Sequence, residues 1–162
     1  MFRIVKQLFK KPEEDNDMSR TLVVVDMQAE FAGTAKKCEK EVVKEVQKAK
    51  KRGAGIVVLE YDGSGSTFES ITKELKGYGR KAYATKHQDD GSKEFLKTAK
   101  KHGFGTKKLR VTGVNRCACV LSTIDGIQKK QEKTDVEVAI KATWCMYPKD
   151  GRKDLKRVAR LK

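Results

Sequence analysis

Hydrophobic residues along this chain alternate between short continuous runs and longer stretches where they recur every three or four positions. The runs are rich in β-branched residues, which is typical of strands buried on both faces, and the periodic stretches are typical of amphipathic helices. The predicted strands are residues 22–25, 56–61, 82–85, 109–112 and 136–142. The predicted helices are residues 35–52, 67–75, 93–102 with Ser92 as the N-cap, 119–130 and 148–161.

This regular succession of strand and helix predicts an α/β protein. Each connection is long enough for a right-handed crossover, so we expect a three-layer Rossmann-like fold. Its sheet should be mainly parallel, with five or six strands and helices on both faces. The chain of 162 residues suits one such domain, which we place at residues 21–162.

Residues 1–20 are predicted to be an N-terminal extension. Residues 1–11 have the pattern of a short basic amphipathic helix, and residues 13–17 form an acidic linker. The helix is either a peripheral anchor or partner clasp, or a segment that packs on its own domain, packs on a neighbouring subunit or stays disordered. The sequence alone leaves these alternatives open.

Three polar residues lie where a parallel sheet places its ligand site, beyond the carboxyl ends of the strands. Asp26 directly follows the first predicted strand, and Lys86 directly follows the third. Cys119 lies in the turn between the fourth strand and its helix. The fold would bring all three to one edge of the sheet.

These residue types suit nucleophilic catalysis. A thiol at a helix start, near a cation, is expected to have a lowered pKa and to attack as a thiolate. Asp26 is suited to take the thiol proton and return it to a leaving amine, with Lys86 as its charge partner. Each residue alone has a plainer interpretation: Cys119 as a packed hydrophobe, Asp26 as a structural cap and Lys86 as a solvated lysine. Lys81 competes with Lys86, but it precedes the strand.

Three sequence blocks resemble the isochorismatase-like cysteine hydrolases, the family that includes nicotinamidases, N-carbamoylsarcosine amidases and ureidoacrylate amidases. The blocks are LVVVDMQAEF, ATKHQDDGSKEF and VTGVNRCACVLST, in that order and at compatible spacing. The resemblance covers roughly residues 21–142. The matching residues are Asp26, Gln28, Phe31, Lys86, Ser92, Phe95, Cys119 and Val120.

The resemblance implies a catalytic triad of Asp26, Lys86 and Cys119. It also implies a cis peptide bond between Val114 and Asn115, with the N–H groups of Asn115 and Cys119 forming an oxyanion hole. It further implies a homo-oligomer. Candidate residues for a substrate pocket are Gln28, Phe31, Arg116 and Cys117.

The chain departs from nicotinamidases after the second strand. Their Asp-x-His pattern, part of a metal site, is replaced here by EYDGSGS, so we expect no metal and no other cofactor. Cys117 with Cys145 is an alternative metal pair, but the spacing is not that of a common zinc module. Cys117 is predicted instead to line the pocket or to pack inside the domain.

The composition adds a strong positive charge. Charged residues make up 36% of the chain and the net charge is +15. This charge indicates either a solvated basic surface or a surface that attracts an anion such as a phosphorylated substrate or nucleic acid. No segment alternates basic and aromatic residues, so nucleic acid is possible but not favoured. The sequence shows neither a secretory signal nor a membrane span, and we expect a cytoplasmic protein with reduced thiols.

The sequence therefore predicts a hydrolase acting on non-peptide C–N bonds. Its cysteine would cleave an amide or ureido bond of a small, possibly anionic molecule through a thioester intermediate. The alternative is a catalytically inactive isochorismatase-like binding protein whose basic surface holds a nucleotide, nucleic acid or protein partner.

Overall fold

The computed structural model describes residues 20–146 and 152–162. In this part of the chain, six strands form one sheet. The strands are β1 (Arg20–Val25), β2 (Ile56–Tyr61), β3 (Lys81–Lys86), β4 (Lys108–Val114), β5 (Asp135–Trp144) and β6 (Arg160–Leu161). The helices are α1 (Ala32–Lys51), α2 (Glu69–Leu75), α3 (Ser92–His102), α4 (Leu121–Lys130) and α5 (Arg152–Leu155), with a 3₁₀ turn at Ala29–Phe31 and a π-helical turn at Arg116–Val120.

The strand order is β3-β2-β1-β4-β5-β6, and every neighbouring pair is parallel. One hydrophobic cluster joins α1 and α2 to one face of the sheet, and a second joins α3, α4 and α5 to the other face. The predicted three-layer α/β fold is confirmed. The strand order reverses between β1 and β4, so their carboxyl ends frame the crevice where such sheets bind ligands.

Helix α1 is held to the sheet by apolar packing and by a charge pair. Its buried side chains recur every three or four residues, as an amphipathic helix requires. Buried Glu45 accepts two hydrogen bonds from Arg110 of β4, at 2.9 and 3.1 Å. Within the described ranges, no helix is both long enough and apolar enough to cross a membrane.

The predicted final helix is wrong for residues 156–161. Residues 152–155 form the short helix α5, and β6 then pairs in parallel with β5. Lys162 N donates to Val138 O at 2.9 Å, and Ile140 N donates to Lys162 O at 2.8 Å. The edge of β5 offers backbone groups that need partners, and this tertiary demand outweighs the local helical pattern. Residues 147–151, where that helix was to begin, and the helix predicted at residues 1–11 lie outside the described residues.

Gly113 sets how closely β4 approaches β1 beside the crevice. Its φ of +109° is in the region that favours glycine, and it pairs in register with Val25. A Cβ at this position would overlap the backbone of Val25. Only glycine therefore allows the two strand ends to lie this close.

We expect Gly113→Ala to lower the free energy of unfolding by more than about 2 kcal/mol, because it adds backbone overlap to an unfavourable φ. The matched control is Gly77→Ala, where φ is +76° but the space is open, and about 1 kcal/mol should be lost. Urea denaturation measures both losses. Equal losses in the two variants would show that the contact with Val25 is unimportant.

Candidate active site

The structure brings Asp26, Lys86 and Cys119 to the same edge of the sheet. Asp26 directly follows β1, and Cys119 lies in the π-helical turn after β4. Lys86 is the last residue of β3, so the strand runs one residue further than predicted. The carboxyl ends of β3 and β4 lie on either side of β1, which places Asp26 between the other two residues.

A buried ion pair forms the centre of this group. Lys86 Nζ lies 2.9 Å from Asp26 Oδ2, and the two side chains are 0% and 1% exposed. Lys86 Nζ also donates to Gln88 O at 3.1 Å and lies 4.2 Å from the centre of the Tyr61 ring. The charge of the lysine is thus compensated by a carboxylate, a carbonyl and an aromatic face, as a buried cation requires.

Asp26 has a backbone conformation that is rare for its residue type. Its φ of +51° lies in the left-handed region, where it is the one described residue other than glycine. Its N–H donates to Leu59 O of β2 at 3.0 Å, which holds the turn in place. Strained positions of this kind are often found at functional sites. Burial raises the pKa of the Asp26 carboxyl, and Lys86 opposes this shift.

The Cys119 thiol is protonated at rest. The residue is 6% exposed, and burial raises the pKa of its thiol to about 12, with Asp26 adding to the shift and Lys86 opposing it. The expectation of a lowered pKa is therefore wrong for the free protein, because burial and the adjacent carboxylate outweigh the lysine. Asp26 is close enough to the sulfur to raise the pKa of the thiol, so a proton acceptor lies beside it, although neither Asp26 oxygen accepts a hydrogen bond within the described residues.

The turn that carries Cys119 differs from a simple helix start. The π-helical turn begins three residues before Cys119 and continues directly into α4. Asn115 O accepts hydrogen bonds from Ala118 N and Val120 N, at 3.1 and 3.0 Å. The peptide bond between Val114 and Asn115 is cis. Single π-helical turns are frequently found at functional sites.

Gln28 and Phe31 support the site through the end of β2. Gln28 Nε2 donates to Tyr61 O and Gly65 O at 3.0 and 2.7 Å, and its Oε1 accepts from Tyr61 N at 2.7 Å. The Gln28 amide is therefore engaged by backbone groups. Phe31 packs edge-on against Tyr61, with ring centres 6.3 Å apart. Together they fix the ring that faces Lys86.

Cys117 forms a disulfide with Cys145, so the expectation of reduced thiols is wrong for this pair. Pairing of Val114 with Trp144 brings the ends of β4 and β5 together, and the Cα atoms of the two cysteines are 5.8 Å apart, within the usual disulfide range. The bond also removes Cys117 as a thiol ligand or a free pocket thiol. Arg116, the other pocket candidate of this turn, is 5% exposed.

Sequence analysis missed Tyr61 and Asp89. Tyr61 is the last residue of β2, and Asp89 follows β3 by three residues and accepts a hydrogen bond from the Cys119 thiol at 3.5 Å. Both obey the rule that ligand sites lie beyond the carboxyl ends of strands, which could have found them. Asp62 and His87 also meet near this edge, 3.3 Å apart, but both are exposed. The described part of the chain holds no cluster of three side chains suited to bind a metal ion.

Solved structures share this fold over nearly the whole chain. A nicotinamidase from Staphylococcus aureus superposes with a TM-score of 0.72 at 18% identity, covering 89% of this chain and 97% of that one. N-carbamoylsarcosine amidase from Thermoplasma acidophilum gives 0.72 at 18%, covering 90% and 96%. The MAR1 ribonuclease from Caenorhabditis elegans gives 0.71 at 17%, covering 87% and 72%.

No protein-family model matches the chain, and no curated protein matches it by sequence. The likeness is therefore one of fold. This is the fold of the isochorismatase-like cysteine hydrolases, which confirms the resemblance carried by the three sequence blocks.

We expect Lys86→Met to lower the free energy of unfolding by about 3–5 kcal/mol, because it leaves the Asp26 carboxylate buried without its partner. Adding Asp26→Asn should restore most of this loss, since the double variant holds no unpaired buried charge. Urea denaturation at pH 7 provides the measurement. Lys81→Ala, which removes a partly exposed lysine at the other end of β3, is the control and should stay near wild type. Equal losses in Lys86→Met and the double variant would contradict the pairing.

Proposed function

We propose that this protein is a cysteine-dependent hydrolase that cleaves a non-peptide C–N bond, amide or ureido, in a small molecule. The observation that carries the proposal is the placement of a buried thiol beside a buried carboxylate that is paired with a lysine. Cys119, Asp26 and Lys86 come from three different segments and meet where this type of sheet binds ligands. A packed cysteine of the core needs no such partners.

Each residue has a role that follows from its surroundings. Cys119 is the nucleophile and Asp26 is the acid–base group, because its carboxylate reaches the sulfur. Lys86 keeps Asp26 charged despite burial and offsets the negative charge that passes between sulfur and carboxylate. The raised pKa of the Cys119 thiol means that the thiolate forms only as the substrate reacts, which protects it from unproductive chemistry.

The proposed reaction proceeds in two halves. The Cys119 sulfur attacks the carbonyl carbon while its proton passes to Asp26, and the oxyanion accepts hydrogen bonds from the N–H groups of Asn115 and Cys119. Asp26 then gives the proton to the leaving nitrogen, the C–N bond breaks, and ammonia or an amine departs from a thioester. Water attacks the thioester with Asp26 taking its proton, and the acid product leaves as the thiol is restored. The route uses protein groups and water alone.

Two proteins that share this fold support this reaction class by their names. The nicotinamidase and the N-carbamoylsarcosine amidase both act on small amide or ureido compounds. We also propose that the protein forms a homo-oligomer, as the resemblance implies. Its location in the cytoplasm stays a prediction from the sequence, because the Cys117–Cys145 disulfide is unusual in that compartment.

We expect the protein to release ammonia from at least one member of a panel of small amides and ureido compounds, and Cys119→Ala and Cys119→Ser to lose at least about 10³-fold of that rate. The matched control is Cys38→Ala, which removes a buried free thiol on the other face of the sheet and should keep the activity. Coupled ammonia detection gives the rates, and circular dichroism checks the fold. Full activity in Cys119→Ala would refute the mechanism.

A second candidate function is RNA binding or cleavage, favoured by two observations. A protein with this fold is a ribonuclease, and the net charge of this chain is +15. We expect any such binding to weaken steeply as salt rises, because it depends on phosphate contacts. Fluorescence anisotropy with a labelled single-stranded RNA at two salt concentrations measures this. No binding at 50 mM salt would remove this candidate.

A further inference from the structure

The loop between β3 and α3 carries a second carboxylate to the sulfur of Cys119. The Cys119 thiol donates to Asp89 Oδ1 at 3.5 Å, while Asp26 lies within reach of the same sulfur. Asp26 is buried, but Asp89 is exposed. A molecule that reaches the sulfur from solvent on this side therefore meets the Asp89 carboxylate.

The position of Asp89 is fixed by the groups that build the site. The hydroxyl of Thr123, fully buried on α4, donates to Asp89 O at 3.3 Å and accepts from Gly91 N at 3.0 Å. Lys86 Nζ donates to Gln88 O, and a Cβ on Gly91 would lie 2.8 Å from Lys86 Cδ. The loop is thus closely fitted to the lysine and to α4, and Asp89 is held against the nucleophile.

The charges beside the sulfur do not balance. Lys86 is already paired with Asp26, and Lys130 at the end of α4 contacts Asp90 and Ser92. The charge of Arg116 acts on Cys38 across the sheet, where burial raises the pKa of the thiol and Arg116 opposes that rise. In the described ranges, no ion pair joins Asp89 to a cation. The surroundings of Cys119 therefore favour positive charge, although the chain as a whole is strongly basic.

We propose that Asp89 selects the substrate by accepting hydrogen bonds from the N–H groups of a positively charged group. This group lies at or next to the C–N bond that is cleaved. The inference rests on the hydrolase function proposed above. Preferred substrates are then small amides or ureido compounds that carry an ammonium or amidinium group. This replaces the anionic substrate that the overall charge suggested.

Such a substrate would also activate the nucleophile. The Asp89 carboxylate raises the pKa of both Cys119 and Asp26, so it opposes the thiolate in the free protein. A bound cation neutralises that carboxylate and favours the thiolate. Recognition and activation are coupled in this arrangement, and a neutral compound gains neither benefit.

The test compares thiosulfonate reagents that share one reactive group and differ in charge. Aminoethyl, methyl and sulfonatoethyl methanethiosulfonate are cationic, neutral and anionic, and each forms a disulfide with a thiolate and releases methanesulfinate. In a Cys38→Ala background, Cys119 is the one free thiol, because Cys117 and Cys145 are bonded. Intact mass under non-reducing conditions at pH 8 gives each rate, normalised to the rate with N-acetylcysteine.

We expect Asp89→Asn to lower the cation-to-anion rate ratio by about fivefold or more, as loss of one partly exposed charge contact predicts. The neutral reagent should react faster, since removing the carboxylate lowers the pKa of Cys119. Asp89→Glu should keep the cation preference. Asp90→Asn, which changes the neighbouring charge without contact to the sulfur, should leave the ratio unchanged.

Two results would overturn the proposal: an unchanged ratio in Asp89→Asn, or an equal change in Asp90→Asn. The ratio requires no turnover, so it is independent of the hydrolase function. If ammonia release depends on Cys119 but Asp89→Asn leaves the rate ratio unchanged, the inference about Asp89 is refuted and the hydrolase function is retained. A charge preference set by Asp89 without any ammonia release would refute the hydrolase and retain the cation-binding site.

Discussion

The ion pair between Lys86 and Asp26 is the constraint on which the site depends. Two opposite charges with almost no exposed surface are stable only when geometry is good and every remaining polar group is satisfied. The surroundings supply partners for Lys86 through Gln88 O and the face of Tyr61, whereas the oxygens of Asp26 accept no hydrogen bond within the described residues and depend on the charge of Lys86. The pair and its partners therefore fix the ends of β1, β2 and β3 relative to one another.

In the proposed reaction, the same pair explains how a thiol that is protonated at rest can act as a nucleophile. Burial and the Asp26 carboxylate hold the proton on sulfur in the free protein, where the pKa of Cys119 is about 12. The proposed acceptor for that proton, Asp26, nevertheless lies beside the thiol, and Lys86 opposes the rise in its pKa that burial causes. Reaction therefore needs no large rearrangement, only a substrate that makes transfer of the proton favourable.

The net charge of the chain and the charges around Cys119 predict ligands of opposite sign. A value of +15 invites the idea of an anionic ligand, and the many lysines on exposed helix faces produce it. At the sulfur, however, two carboxylates face one lysine that is already paired. Coulomb interactions over a few ångströms are stronger than interactions with distant charges, because solvent and salt screen the distant charges. The chemistry at the site is thus set by its few nearest charges.

The sequence by itself determined the layers, most strands and helices, and the edge where chemistry residues gather. Buried strands and amphipathic helices have patterns that are local in the chain, and the position of a residue just after a strand is local too. Strand 56–61 was predicted to the residue for this reason, and helix α3 was predicted to within one residue at its start. The three blocks then identified Asp26, Lys86 and Cys119 as a group.

The features that only the tertiary structure decided depend on contacts between residues that are distant in sequence. Strand β6 exists because the edge of β5 offers hydrogen bonds, although residues 152–161 have a helical pattern. Cys117 and Cys145 pair because β4 and β5 end side by side, which no spacing of 28 residues reveals. The pKa of Cys119 and the approach of Asp89 likewise follow from burial and loop packing. A hydrophobic pattern predicts which side chains are buried. Only the folded chain determines which residues those side chains contact.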